Sequence, residues 1–420
     1  MRHLILASLV VVLGLADPAI AQRSQAQVFG LPTSEALFDD TAVHDIHLRM
    51  SARDWDTLKA HYLENTYYPA DFYWRDQVIR NVGIRSRGTG SRNPVKPHLR
   101  IAFGRYVSGQ TFLGLSDVVL RNNTQDPSNM RERLSMALFQ RLGVPASRES
   151  YTRLYVNDEY MGLYTIVEMI DDRYIARRFP AADGYLFSYD YPATAAPYYF
   201  EDRGDDPNTY VPLPFKPENH DTDPQPEVIA QMVLAVNRSS DAVFTQAASE
   251  YINLPMLIRQ VAIETYLGDD DGFLGGWGMN NLYLYRLSTS HAFTFLPWDK
   301  SNAFLGGVRG SIWHGILDVP PAMQNVLIRR ALARPEFLAI YLDTLLDCAR
   351  TTEDTGGSVT GWLAGEIERQ YHDIHDFVWL DTKKPFTNAE FEQAVDDLRA
   401  FARERGTFVR DSVAAARQGR

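Results

Sequence analysis

Two hydrophobic patterns divide the chain. In the first 170 residues, apolar and aromatic side chains recur at every second position, as in the run DFYWRDQVI at 71–79. Such alternation is typical of strands that bury one face. Runs of this kind predict strands at 42–50, 71–79, 82–88, 96–103, 151–158 and 160–170. We therefore expect a β-rich N-terminal part.

One helix interrupts these strands, at 126–142. Its apolar side chains recur at every fourth residue and form one stripe, which consists of Met130, Leu134, Leu138 and Leu142. Asp126 or Ser128 can cap the beginning of this segment, and Gly143 is suited to end it. The pattern predicts one long helix within the β-rich part.

The rest of the chain has helical spacing over most of its length. Short helical runs follow residue 171, and longer ones cover 227–267 and the region from 323 to the end. Residues 190–227, rich in proline, tyrosine and acidic side chains, have little periodicity, so we expect an irregular excursion near the mouth of a site.

A β-hairpin is predicted between these helices. The runs LYLYRL and AFTFLPW flank the polar tetrad 288–291, and apolar runs around a polar turn are typical of hairpins. The predicted fold class is therefore α+β. Its two parts are a β-rich segment at 37–170 with one long helix, and a mainly helical segment at 171–420 that carries the hairpin region 264–304.

Length and charge limit the function classes. The chain has 420 residues, of which 45% are hydrophobic, so it can bury a large core. Its formal net charge of −11 at pH 7 argues against a general nucleic-acid binder. The single cysteine, Cys348, lies in an apolar helical run, where we expect a small buried side chain rather than a nucleophile.

The N-terminus has the pattern of a secretory signal. Arg2 and His3 precede an apolar run, and Ala19-Ile20-Ala21 provides a small-x-small cleavage site. We predict a signal peptide at 1–21, a linker at 22–36, and an exported chain in the periplasm or outside the cell. No later apolar run approaches the length that a bilayer requires.

Candidate chemistry concentrates in the hairpin region. Three carboxylates, Asp269 to Asp271, precede the pair Asn280 and Asn281, and Asp299 follows the second predicted strand. The hairpin can bring these ends together around one cleft, and such oxygen ligands suit Mg²⁺. The alternative is a solvated acidic turn with Asp299 as a helix cap.

A second candidate lies in the loop GTGSRNPVK, residues 88–96. Arg85 and Arg87 precede it and Lys96 ends it, so backbone amides and cations could meet a phosphate here. The loop matches neither the GxxxxGK[ST] nor the GxGxxG pattern. An ordinary hairpin loop with surface bases is the alternative.

The pair His372 and His375 could suggest a metal site. Both lie beside aspartates, Asp373 and Asp376, in a predicted helix. Such a cluster is more often the solvated face of a helix, and we favour that interpretation.

Several segments together resemble one known family. The chain is similar to the CotH-type (spore-coat protein H) kinase family over roughly residues 40–410. The matching segments are IRSRGTGS, KPHLRI, MRERLSMALFQRLGVPASR, LYVNDEYMGLYTIVEMID, DGFLGGWGMNNLYLY and FTFLPWDKSNAF. The resemblance implies a two-lobed, atypical protein-kinase-like fold that uses ATP and Mg²⁺ to phosphorylate Ser or Thr of a protein.

The resemblance also implies roles for residues of the N-terminal part. Lys96 resembles the kinase lysine on the ATP phosphates, and Glu132 on the long helix is its expected ion-pair partner. Arg87 and the loop after it resemble the phosphate-covering segment. Glu168 lies where a strand leaves the N-terminal lobe, and its segment is expected to contact adenine as a hinge.

In the C-terminal part, Asp271 resembles the catalytic aspartate that orients the acceptor hydroxyl. Asn281 or Asn280 resembles one metal ligand and Asp299 the other. The chain departs from the family pattern at Ser301, where a second acid is common. Ten residues separate Asp271 from Asn281, against about five in ordinary kinases, so the insertion GFLGGWG must fold back.

Three other functions stay open on the sequence. An exported kinase-like chain could be an inactive binding or scaffold protein, or it could transfer AMP to a hydroxyl at the same site. A carboxylate-pair hydrolase of glycans fits the acids but leaves the Arg and Lys loop unexplained. We expect a monomer that acts on a protein partner.

Overall fold

The structure, a computed structural model, describes residues 33–190, 195–357 and 359–419. The predicted signal peptide at 1–21 and most of the predicted linker lie outside the described residues. Within the described ranges, no helix is both long and apolar enough to cross a membrane.

The N-terminal part is a closed seven-stranded barrel. Its strands follow the order β1-β2-β3-β4-β5-β7-β6, and β1 closes the barrel by pairing parallel with β6, while the other pairs are antiparallel. The strands are β1 Val43–Met50, β2 Tyr68–Trp74, β3 Gln77–Ser86, β4 Leu99–Ala102, β5 Asp117–Arg121, β6 Glu149–Val156 and β7 Glu159–Glu168.

Apolar side chains of the alternating pattern form the core of this barrel. Phe72 and Ile101 are fully buried within its core, and the ring of Phe72 packs edge-on against Phe112 and Phe103. Two short helices flank β1, namely α1 Ser34–Leu37, which begins inside the predicted linker, and α2 Ala52–Ala60. Closure leaves no free sheet edge in this part of the fold.

The predicted long helix is confirmed, although it is shorter than expected. Helix α3 spans Arg131–Arg141, because Asp126 folds the preceding segment into a turn and its Oδ2 accepts a hydrogen bond from the Arg131 backbone (2.8 Å). The predicted stripe is buried and joins the core of the C-terminal part. Helix α3 therefore packs on the helices, not inside the barrel.

The predicted hairpin is also confirmed. Strand β10, Leu282–Arg286, pairs antiparallel with β11, Thr294–Pro297, and places Leu282 opposite Pro297. Two strands that the pattern did not predict, β8 Tyr185–Tyr189 and β9 Phe215–Pro217, extend this pair into a four-stranded sheet of order β11-β10-β8-β9.

Helices surround this sheet and supply the largest core. They are α4 Asp172–Arg178, α5 Pro226–Arg238, α6 Phe244–Ser249, α7 Leu254–Leu267, α8 Val326–Leu332, α9 Pro335–Glu353, α10 Trp362–Leu380 and α11 Asn388–Gln418. Cys348 is fully buried in α9, as predicted, and burial raises the pKa of its thiol. The mixed α+β class is confirmed.

Candidate active site

A cavity of about 460 Å³ lies between the barrel and the four-stranded sheet. The barrel contributes the β3–β4 loop, residues 87–98, and the sheet contributes the segments around β8, β9 and the hairpin. Charged side chains of both signs face the cavity together with His98; the charged ones are Arg85, Arg87, Arg92, Arg100, Asp190, Lys216, Glu218, Asp271 and Asp299. Asn280, Asn281 and the aromatic residues Tyr283 and Trp298 also line it.

Asp271 is held by three asparagine amides. Its carboxylate accepts hydrogen bonds from Nδ2 of Asn280 (2.7 Å), Asn281 (3.1 Å) and Asn302 (3.0 Å). Burial raises the pKa of Asp271, the bond from Asn280 opposes that shift, and nearby Asp299 adds to it. We call the three amides the asparagine cage, and it fixes the direction of the Asp271 carboxylate.

The insertion between Asp271 and Asn280 folds back, as the long spacing requires. The Asn280 backbone N–H donates to the carbonyl of Gly272 (3.1 Å), and the turn passes close to other backbone. A Cβ at Gly275 would stand 2.4 Å from the carbonyl oxygen of Asp270, so a side chain does not fit there. The fold-back brings both asparagines beside Asp271.

Asp299 lies just after β11 and is ionised. Its Oδ1 accepts from Nη1 of Arg121 (2.6 Å) and from the hydroxyl of Ser301 (2.8 Å). Burial alone would raise its pKa, but the guanidinium of Arg121 lowers it to about 2. Ser301 therefore orients Asp299 directly.

Among the cavity oxygen atoms that have no hydrogen-bond donor from the described residues, two belong to the predicted metal ligands. They are Oδ2 of Asp299 and Oδ1 of Asn281, whose Nδ2 is engaged by Asp271. The described ranges contain no group of three or more His, Cys, Asp or Glu arranged for a metal. A sparse oxygen set of this kind fits Mg²⁺, which takes one or two carboxylates together with phosphate oxygens.

The predicted pair between Lys96 and Glu132 is wrong. Nζ of Lys96 is buried, 2.6 Å from Oδ2 of Asp381 and 2.9 Å from the carbonyl of Leu163, and it does not line the cavity. Burial lowers the pKa of Lys96, and Asp381 opposes that shift. Lys96 anchors the β3–β4 loop to the residue after α10.

Glu132 pairs with Arg121 instead. Its Oε1 lies 3.3 Å from Nη2 of Arg121, and its Oε2 accepts from the backbone N–H of Lys300 (2.5 Å). Burial raises the pKa of Glu132 and of the neighbouring Glu149. Arg121 thus links α3 to Asp299, and its only sequence signal was the polar run RNN at the end of an apolar strand.

Glu168 does not reach the cavity with its side chain. Its carboxylate is buried among Arg148 (2.8 Å), Arg177 and Arg178 (3.5 Å). The Glu168 side chain therefore does not contact the cavity, and the hinge role of its segment stays a prediction. The next residue, Met169, lines the cavity.

Arg87 faces the cavity. Its guanidinium lies 4.9 Å from the centre of the Trp298 ring, and burial lowers its pKa. No carboxylate of the described residues forms an ion pair with it. Arg92, in contrast, donates hydrogen bonds to the backbone carbonyls of Gly88 (2.5 Å), Tyr62 and Glu64. It therefore stabilises the conformation of the loop.

A buried lysine, Lys300, pairs with two carboxylates that precede Asp271 in the chain. Nζ of Lys300 lies 2.9 Å from both Glu264 and Asp269. Burial would lower the pKa of Lys300, but the two carboxylates raise it. Asp269 is therefore a buried anchor, while Asp270 contacts His314 (2.8 Å).

The two histidines of α10 form no metal site with the described residues. His375 contacts Asp376 (2.8 Å) and Glu392 (3.4 Å) at the surface. The solvated interpretation fits this arrangement.

Two solved structures share limited similarity with the chain. The proinflammatory kinase CtkA of Helicobacter pylori matches with a TM-score of 0.30 and 12% identity, over 79% of this chain and 93% of that one. A HipA chain in the HipA–HipB–operator DNA complex of Shewanella oneidensis MR-1 matches with a TM-score of 0.32 and 11% identity, over 76% of this chain and 60% of that one.

The sequence comparisons cover most of the chain. Inner spore coat protein H of Bacillus subtilis (strain 168) is 24% identical over 343 residues, which is 80% of this chain and 88% of that protein. The family model described as CotH kinase protein matches residues 84–409. That range contains the β3–β4 loop, the asparagine cage and Asp299.

Proposed function

Because the chain belongs to the CotH kinase protein family, we propose that it transfers the terminal phosphate of ATP to a Ser or Thr hydroxyl of a protein, with Mg²⁺. One observation supports this most directly. A carboxylate fixed by three amides, Asp271, shares a cavity with an ionised carboxylate, Asp299, and with a cation that has no carboxylate partner among the described residues, Arg87.

In this proposal Asp271 positions the acceptor. The asparagine cage holds its carboxylate in one orientation, so it can accept a hydrogen bond from an incoming hydroxyl. Transfer of a phosphoryl group needs placement and charge stabilisation more than covalent chemistry from the protein. A fixed acceptor of this kind supplies placement.

The metal would be held by Oδ2 of Asp299 and Oδ1 of Asn281. When bound, Mg²⁺ supplies charge neutralisation on the phosphate oxygens. Arg121 and Ser301 keep Asp299 ionised and turned toward the cavity. The low pKa of Asp299 makes this ligand available at any physiological pH.

Arg87 and the β3–β4 loop would bind the phosphates. The half-buried guanidinium of Arg87 lacks a carboxylate partner in the described ranges, so a phosphate could pair with it at little desolvation cost. Lys96 takes no part, because its charge is used by Asp381. The barrel and the helical part would then form the two lobes of a kinase-like fold around the nucleotide.

For cellular location and oligomeric state, the proposal keeps the expectations from the sequence. The pattern at residues 1–21 supports export to the periplasm or beyond, and we expect the mature chain to act as a monomer on a protein partner.

Transfer from radiolabelled ATP to a general protein acceptor tests the proposal. The purified mature chain should label the acceptor only with Mg²⁺, and Asp299→Asn and Asp271→Asn should lower the rate by at least about 100-fold. The surface variant Asp376→Asn serves as the control. Mass spectrometry identifies the product, because an added nucleotide would replace phosphate transfer by AMP transfer. A chain that binds ATP without labelling any acceptor would favour the scaffold.

A further inference from the structure

His98 lies at the floor of the cavity with one ring nitrogen unpaired. The residue directly precedes β4, lines the cavity and is only 2% exposed. Its Nδ1 lies 2.8 Å from the hydroxyl of Ser91, whereas its Nε2 has no hydrogen-bond partner among the described residues. A buried polar atom without a partner costs free energy, so its retention calls for a reason.

The β3–β4 loop holds Ser91 and His98 together. Gly88 has a φ of +98°, and a Cβ there would stand 2.3 Å from Oγ of Ser91, so the loop closes tightly at this point. The backbone N–H of Arg87 donates to the carbonyl of His98 (2.9 Å), and Asn122 donates to the carbonyls of Ser91 (2.8 Å) and Lys96 (2.7 Å). The ring therefore has little freedom to turn.

The surroundings keep the ring neutral. Burial lowers the pKa of His98 well below its usual value, and the positive charges of Arg121 and Arg87 lower it further. A neutral ring carries one proton. If the Ser91 hydroxyl donates to Nδ1, that proton sits on Nε2, which then is a hydrogen-bond donor without an acceptor.

We propose that His98 is a phosphate-binding residue of this cavity, which donates through Nε2–H to a phosphate oxygen while Ser91 fixes the tautomer. This inference rests on the proposed function in that it assigns the ligand as a polyphosphate. A phosphate oxygen is acceptor-only and anionic, so it matches a neutral N–H donor beside Arg87.

A second chemistry of the same two residues makes a different prediction. Ser91 could act as a nucleophile with His98 as its base, which would leave phosphate on Ser91. A histidine whose pKa is held well below its usual value is a poor base at neutral pH, so we favour the donor role. Phosphate found on Ser91 after incubation with ATP would overturn our assignment.

Calorimetry with two probes tests the donor role. The full mature chain is titrated with pyrophosphate and with a non-hydrolysable ATP analogue, both with Mg²⁺. His98→Phe removes the donor and should weaken both by about tenfold or more, because a hydrogen bond to a charged group is lost. His98→Gln keeps an N–H donor and should restore part of the affinity. His47→Phe, at a barrel histidine stacked on Tyr155 outside the cavity, is the matched control.

The tautomer gives a readout independent of folding effects. In wild-type protein labelled with ¹⁵N-histidine, the Nε2–H signal of His98 should shift when pyrophosphate binds, and Ser91→Ala should shift the tautomer equilibrium. An Nδ1–H tautomer in the bound state would overturn the inference.

The outcomes separate the two proposals. Equal affinity of wild type and His98→Phe for the ATP analogue would overturn the role of His98 and leave the kinase proposal intact. If the wild-type chain binds pyrophosphate but not the ATP analogue, the kinase proposal is overturned. The pyrophosphate affinities of wild type and His98→Phe would still decide whether His98 binds phosphate. Absence of binding to either probe would overturn both.

Discussion

Nη1 of Arg121 donates to Oδ1 of Asp299 across 2.6 Å, and this bond joins the barrel to the hairpin region. The two residues are 178 positions apart, and Arg121 is nearly inaccessible to solvent. The same guanidinium lies 3.3 Å from Glu132 on α3. One buried cation therefore sets both the position and the charge of the carboxylate that we assign to the metal.

Replacing Arg121 by methionine should move the pH dependence of metal binding. Without the guanidinium, burial raises the pKa of Asp299 from about 2, so the carboxylate becomes protonated at higher pH. We expect Mg²⁺ binding to be lost several pH units earlier on acidification than in wild type. Breaking a buried pair should also cost about 3–5 kcal/mol of unfolding free energy.

Calorimetric Mg²⁺ titrations between pH 4 and 8, with urea unfolding, measure both effects. Arg80→Met, at a surface pair with Asp71, is the control and should change neither. An unchanged acid limit in Arg121→Met would contradict the role of this residue.

Variants of Lys96 and Arg87 should have opposite effects on the free energy of unfolding and on nucleotide affinity. Lys96→Met leaves Asp381 buried without its cation, so it should cost about 3–5 kcal/mol of unfolding free energy and leave nucleotide affinity of the folded chain intact. Arg87→Met should do the opposite, because this side chain lines the cavity without an ion-pair partner in the described ranges. Denaturant unfolding and calorimetry with an ATP analogue distinguish the two. Lost affinity in a folded Lys96→Met chain would restore the original assignment.

Lys96 and Glu132 show what could not be predicted from the sequence. The resemblance placed a lysine and an acid in the expected order, but which cation meets which carboxylate depends on contacts between distant segments. Lys96 meets Asp381, 285 positions away, and Glu132 meets a cation from β5. Neither contact leaves a periodic signal.

Local patterns were more informative. The hairpin at β10–β11 and the stripe of α3 follow directly from spacing, because alternate or every-fourth apolar side chains share one face. Asn302 was missed because a lone asparagine three positions after Asp299 has no pattern of its own. Strand β8 was missed because its pairing partner, β10, is distant in sequence.

Asn302→Ala should raise the pKa of Asp271 and slow the proposed reaction. The change removes one of the two amide donors to Oδ2, the other being Asn281, and hydrogen bonds from amides favour the ionised form. Since the ionised carboxylate is the stronger acceptor for a hydrogen bond from the acceptor hydroxyl, the acidic limb of the pH–rate profile should move to higher pH. Rates should fall about tenfold near neutrality.

The profile of phosphate transfer against pH measures this shift. Asn208→Ala, at a surface turn around Asp206, is the control. A fall in rate with no movement of the acidic limb would argue that Asn302 acts only through the shape of the loop.

Ser301→Asp restores the acid that is common in the family at this position. The new carboxylate would stand against Asp299, so like charges should destabilise the chain without metal. Bound Mg²⁺ should recover that loss, and the stabilisation by Mg²⁺ should exceed that of wild type. Melting temperatures with and without Mg²⁺ measure the difference. Ser301→Ala, which only removes a hydrogen bond of about 1 kcal/mol, should show no added Mg²⁺ effect.

Lys300→Met should destabilise the chain in a pH-dependent way. In wild type the pKa of Lys300 is raised by Glu264 and Asp269, so its contribution is complete below the unfolded pKa and is lost only as pH rises into the strongly alkaline range. Removing the cation leaves two buried carboxylates unpaired, at a cost of about 3–5 kcal/mol near pH 7. Burial then raises the pKa of both acids, so the folded variant binds protons more readily than the unfolded chain as pH falls. The gap to wild type should therefore shrink toward pH 5. Urea unfolding at both pH values, with Lys59→Met as the surface control, measures the gap, and a pH-independent loss would argue against two unpaired carboxylates beneath the Asp271 loop.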